Sequence, residues 1–203
     1  NGTLTGALGG LAGAGYDHAR LDFSDNNDFS GKSRGWGVAG KLGFAYRLNS
    51  QWTLGGSYHS TTRLGDLETS AATMLVTDTG GSPAQSVPGK IAVRNFQWPR
   101  NYGLGVAWQA RPDWLVAADW KRLDWAANMR DFTMRYSAMG DSVVFSLPQA
   151  WRNQNVAQLG ATWRATPALS LRAGVNLANN PVPDATMHYL FPAIVENHVT
   201  AGL

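Results

Sequence analysis

Side chains able to do chemistry are few and scattered in this sequence. The four histidines, His18, His59, His188 and His198, stand at no metal-ligand spacing, with no cysteine and no glutamate cluster beside them. Only two glutamates occur, Glu68 and Glu196, both in or near expected loops. The absence of cysteine excludes a thiolate metal site, a cysteine nucleophile and a disulfide scaffold. His59 has Ser57 and Ser60 beside it, the residue types of a Ser-His hydrolase. Neighbours on one extended strand point to the same or opposite faces and lack a third group to orient the base, so rim polarity accounts for them better. Gly35-x-Gly37-x-x-Gly40 fits the dinucleotide fingerprint, but that motif must follow a strand and open a helix. Here it opens a strand. Catalytic residues, metal ligands and cofactors are therefore all expected to be none.

The bulk properties narrow the class. The chain has 203 residues, 44% hydrophobic and only 15% charged, with 23 glycines and 9 tryptophans. Ordinary soluble domains carry about 25% charge, and disordered chains are less apolar and less aromatic. No apolar run approaches the roughly 20 residues of a spanning helix. The net charge of +3 comes mostly from arginines scattered singly, with only Lys121-Arg122 adjacent. Nucleic-acid binders gather such charge on one face, so no nucleic-acid partner is expected. The sequence opens at Asn1 and stops at Leu203 inside what reads as a strand, and is expected to be a fragment with two exposed sheet edges.

Period-2 alternation dominates beyond the first twenty residues. Val38, Leu42, Phe44 and Tyr46 share one face, with Ala39, Lys41, Gly43 and Ala45 opposite. The same split recurs around Trp52–Tyr58, Tyr102–Trp108, Trp114–Trp120, Ala157–Trp163 and Leu169–Leu177, and a further strand begins at His198. Tight junctions at 47–51, 110–113 and 164–167 alternate with long connections at 64–92, 128–150 and 179–194, rich in Gly, Pro, Ser, Thr and Asp. Short turns at one end and long loops at the other are the asymmetry of an outer-membrane barrel. Tyr46, Trp52, Trp108, Trp114 and Trp163 lie on the apolar parity beside the tight turns, as an interfacial girdle would. A soluble sandwich would bury its tryptophans mid-strand. Residues 1–30 read as an extramembrane loop with short helical turns, from Leu4, Leu8 and Leu11, weakened by the glycines between Gly6 and Gly15. Residues 31–203 read as the partial barrel.

Three blocks then resemble one family. Gly35-Trp-Gly-Val-Ala-Gly-Lys-Leu-Gly-Phe-Ala-Tyr-Arg-Leu-Asn49 runs into Gln51-Trp-Thr-Leu-Gly-Gly-Ser-Tyr-His-Ser60. Trp98-Pro-Arg-Asn-Tyr-Gly-Leu-Gly-Val-Ala-Trp108 precedes Trp114–Trp120 and Asp124-Trp125. Leu169–Val175 leads to Asn180-Pro-Val-Pro-Asp184. Together, over about 31–203, they resemble the FadL/TodX outer-membrane transporters of long-chain fatty acids and aromatic hydrocarbons. The resemblance implies an all-β, antiparallel 14-stranded barrel plugged by an N-terminal hatch, of which this chain supplies seven strands, the sixth to the twelfth. It also implies that residues 1–30 and about 64–92 are outer loops forming a hydrophobic groove. Phe96-Gln-Trp-Pro99 departs from the Leu-Pro pair of many relatives, a mark of different ligand preference.

Arg152 falls where the fatty-acid members place a lumen cation that meets the ligand carboxylate, through a charge-assisted bond. Phe145 and Leu147 would accept the acyl chain. The bland alternative pairs Arg152 with Asp119. Asp119, Lys121 and Arg172 face inward by parity and are expected as lumen ion pairs holding barrel and hatch. The expected function is passage of hydrophobic small molecules across the bacterial outer membrane by diffusion, with no catalysis. The protein is expected to be a monomer in contact with outer-membrane lipid. A general porin, an outer-membrane lipase and a structural or adhesin barrel are the alternatives.

Overall fold

The computed structural model describes residues 15–22, 33–69, 71–78, 80, 83–187 and 196–203. In chain order the strands are β1 (His18–Asp22), β2 (Ser33–Arg34), β3 (Gly37–Val38), β4 (Lys41–Arg47), β5 (Trp52–His59), β6 (Arg63–Leu64), β7 (Leu67–Thr69) and β8 (Ala72–Thr77). They continue as β9 (Gln85–Arg94), β10 (Asn101–Arg111), β11 (Trp114–Leu123), β12 (Asp131–Ala138), β13 (Asp141–Pro148), β14 (Gln154–Thr166), β15 (Leu169–Ala178) and β16 (Asn197–Gly202). One helical turn, Trp125–Asn128, follows β11. Among the described residues no helix is long and apolar enough to cross a membrane.

The chain forms two compact units. One holds Val38–Thr62, Gln97–Arg130 and Gln149–Leu203. Its sheet has seven antiparallel strands in the order β16-β15-β14-β11-β10-β5-β4. These are the six alternating segments and the strand begun at His198. Three hairpins supply the local pairing. Asn49 Oδ1 accepts from the N–H groups of Gln51 (2.8 Å) and Trp52 (2.9 Å), closing the turn between β4 and β5. Thr166 Oγ1 does the same for Leu169 at 3.1 Å. The register slips between Gln109 and Arg111 and between Arg164 and Thr166, so a bulge adjoins the β10–β11 turn and the β14–β15 turn.

The other unit holds Asn1–Gly37, Arg63–Phe96 and Asp131–Pro148. Here the structure corrects the reading of 64–92 and 128–150 as loops. They build a second sheet, β1-β8-β9-β12-β13, with β7 pairing β9 and β2. Its core gathers Ala72, Met74, Val76, Val87, Ile91, Tyr136, Ala138 and Val143. Tyr136 is fully buried, and its hydroxyl donates to the Val87 carbonyl. Pro88 sits inside β9, opposite Thr73 of β8 and beyond Lys90, where the ladder to β12 ends. Beside it, a Cβ on Gly89 would strike the Ser137 carbonyl and the Tyr136 hydroxyl. The helical turns expected within 1–30 fall largely on residues outside the described set. His18–Asp22, inside that span, is a strand paired with β8.

Because this second sheet owns its core, it should be separable from the strands of the first. Tyr136→Phe is expected to cost about 1 kcal/mol through the orphaned Val87 carbonyl, and Tyr136→Ala about 3–5 kcal/mol through the cavity. Limited proteolysis should then cut within 63–96 and 131–148 while the heat-modified gel shift of the barrel is unchanged. A lost gel shift in Tyr136→Ala would show the two units to be one cooperative body.

Candidate functional site

Strand register sorts the seven-stranded sheet into two faces. One row runs Tyr46, Leu54, Val106, Ala118, Leu159, Val175, Val199, apolar across every strand. The row beside it, on the opposite face, runs Ala45, Gly55, Gly105, Asp119, Gln158, Asn176, His198. A further row of that face is Arg47, Thr53, Ala107, Ala117, Gly160, Gly174 and Thr200. Side chains alternate faces along a strand, so one surface is apolar and the other small and polar. The small-residue face holds a concavity of about 460 Å³ lined by Thr53, Gly55, Gly105, Asp119, Lys121 and Gln158. Asp119 lies over Gly105, where a Cβ would meet its Oδ1.

Aromatic rings close both ends of the apolar face. Beside the tight turns, Trp52 stacks on Trp108 (5.4 Å between centroids, 12° between planes) and Trp114 on Trp163 (5.6 Å, 14°). Toward the long connections, Tyr58 meets Tyr102 at 5.3 Å, and Trp125 is edge-on to both Trp98 (5.8 Å) and Trp151 (5.2 Å). At this second end Asp124, just past β11, is held by two arginines. Arg100 Nε donates to its Oδ2 at 2.7 Å and Arg122 Nε to its Oδ1 at 3.0 Å. The bond from Arg100 holds the Asp124 carboxyl below its ordinary range. Burial opposes this, and the bond from Arg122 adds to it.

Residues 18–203 match the family described as outer membrane protein transport protein (OMPP1/FadL/TodX). The chain belongs to that family. Among solved structures, the Pseudomonas putida toluene transporter TodX is 33% identical, with TM-score 0.69 over 84% of this chain and 40% of that one. The Ralstonia pickettii toluene transporter TbuX is 27% identical, with TM-score 0.64 over 89% and 48%. A Pseudomonas aeruginosa FadL homologue, at 19% identity and TM-score 0.62 over 79% and 38%, shares the fold. The chain thus spans less than half the length of these structures. No curated protein sequence matches it.

Within this OMPP1/FadL/TodX fold the chain supplies seven strands of an outer-membrane β-barrel. Outer-membrane barrels in general turn an apolar band with aromatic girdles toward lipid and keep their short turns on the periplasmic side. The candidate residues named from sequence fall in both units. Phe145 is half-buried and packs on the core of the second sheet, facing Met134 across the ladder. Leu147, also half-buried, faces Phe132 in the same unit. Arg152 belongs to the other unit. It lies two residues before β14, exposed, with its backbone N–H on the Pro181 carbonyl at 2.8 Å, so no ladder fixes its parity. It makes no ion pair among the described residues, with Asp119 or otherwise.

Asp119, Lys121 and Arg172 do face the small-residue side by register. None of the three forms an ion pair among the described residues. No group of three metal-binding side chains occurs among the described residues, and His188 lies outside them. Sequence reasoning missed the Arg100–Asp124–Arg122 triad. The available signal was Arg122 itself, a cation on the apolar parity of Trp114 and Trp120.

A carboxylate whose pKa is lowered on folding stabilises above its unfolded value and loses that contribution as pH falls through the folded value. Asp124→Asn should therefore melt below the parent protein at neutral pH, and the gap should close only below about pH 4. Melting temperatures in detergent from pH 7 to pH 3 check this; a gap constant with pH would contradict it.

Proposed function

We infer that the protein to which this chain belongs lets small hydrophobic molecules, monoaromatic hydrocarbons foremost, cross the outer membrane by diffusion through the barrel lumen. No covalent step is involved. The carrying observation is the paired rows of the sheet, one apolar toward lipid and one of glycine, alanine and small polar residues toward the lumen. Such a lumen leaves space and holds charge at few points, whereas a general porin would be more heavily charged. The relatives named as toluene transporters, at 33% and 27% identity, support an aromatic substrate.

Lumen space is testable at Gly160, where an added Cβ would meet only the Ala173 carbonyl, at 3.8 Å. Gly160→Phe in the full-length protein should fold with an unchanged gel shift yet slow toluene uptake severalfold. Uptake at the parental rate would remove the lumen route. Planar-bilayer recordings should show no porin-like ion conductance, and a serine-directed probe should leave the protein unlabelled.

Arg152 is the proposed contact for a ligand carboxylate, should fatty acids share the route. Arg152→Ala should then lower oleate uptake and leave toluene uptake as it was. Equal oleate uptake in both proteins would dismiss that contact.

A further inference from the structure

On the lipid-facing side of the sheet, the rim at the long-connection end is cationic where such a surface is ordinarily neutral. Arg122 faces Tyr102 across the ladder and shares the apolar parity of Trp120, and Arg100 and Asp124 continue that pairing through the Asp124 N–H on the Arg100 carbonyl. Arg100 stands eight positions from Trp108, about 27 Å along an extended strand. For a tilted strand that is near the top of an apolar band of about 25 Å. Long connections are extracellular in such barrels, so this rim meets the outer leaflet.

The triad holds two guanidiniums for one carboxylate, leaving one positive charge uncompensated. Both arginines reach Asp124 through Nε, and among the described residues their terminal nitrogens take no other bond. The Asp124 side chain is 9% exposed, against 50% for Arg100 and 42% for Arg122. A buried carboxylate thus fixes two forks and leaves their tips open, a pre-oriented receptor for an oxyanion. Just below, the lipid face is indented by a groove of about 510 Å³ walled by Leu42, Phe44, Tyr58, Tyr102, Leu104 and Trp120. Its floor is Gly56, where a side chain would collide with the Phe44 ring. Beside the triad, Trp98 is half exposed and edge-on to Trp125, a flat platform of the kind that stacks on a sugar.

We propose that this rim binds a phosphorylated glycolipid of the outer leaflet, with phosphate on Arg100 and Arg122 and one acyl chain in the groove over Gly56. A free anion has no use for the groove, and a neutral hydrocarbon has none for the arginines. The two together select a lipid with an anionic head.

The test uses full-length protein in detergent, titrated with diphosphorylated lipid A, with the same lipid after phosphatase treatment, and with phosphatidylglycerol. Bound lipid is counted by native mass spectrometry. The diphosphorylated form should bind at least about tenfold more tightly than the dephosphorylated one, with phosphatidylglycerol weaker than the former. Arg100→Gln/Arg122→Gln should abolish the preference. Adding Asp124→Asn keeps the rim free of a buried unpaired charge and should give the same loss. Arg111→Gln, which removes a cation at the tight-turn end, should retain it. Equal binding of the two lipid A forms, phosphatidylglycerol binding as tightly, or a preference surviving the double and triple substitutions would each overturn the proposal. So would displacement of the lipid by toluene, which would make the groove a hydrocarbon site.

Discussion

Backbone hydrogen bonding in hydrocarbon governs this sheet. With no water to satisfy an exposed N–H or C=O, every residue that crosses must pair with a neighbouring strand. Pairing fixes register, and register fixes which face each side chain takes, since a slip of one residue would exchange the two faces entirely. The unbroken row from Tyr46 to Val199 is the result, and so is the row of Gly, Asp, Gln and Asn behind it. The bulges near Gln109 and Arg164 fall beside the tight turns, where an extra residue leaves the register of the crossing segment intact.

The first sheet could be read from sequence because its signal is local. Ten-residue alternation, Asn-Ser, Pro-Asp and Thr-Pro turns, and tryptophans beside them all lie within single hairpins. The second sheet hid because β9 is interrupted by Pro88 and Gly89 and pairs with β12 across a long stretch of chain. A Gly/Pro-rich composition reads as loop unless the partner strand is known. Tyr136 had no mark distinguishing a buried hydroxyl from an interfacial one.

Site residues were harder for a related reason. Phe145 is apolar at a position that serves a core or a ligand equally well, and it packs on the cluster that holds Val143 and Tyr136. The parity of Arg152 was extended past the start of β14, where no ladder carries it. Asp119, Lys121 and Arg172 lie inside ladders, where register carries parity from strand to strand. The triad required two residues from different strand ends to converge on Asp124, which no single-strand pattern encodes. The one signal left unused was that Arg122 is a cation on the apolar parity of Trp114 and Trp120.

The β9–β12 ladder has a kinetic meaning. It encloses the whole β10–β11 hairpin, from Arg94 on one side to Thr133 on the other. Once that hairpin has zipped, and the Asp124 N–H has met the Arg100 carbonyl at 3.1 Å, the two ends of the enclosed segment stand next to each other. Closing β9 on β12 then needs only the few residues left outside the hairpin to be ordered, since closure entropy follows the length still free. Zipping of the β10–β11 hairpin thus shortens the loop that the β9–β12 pairing must close.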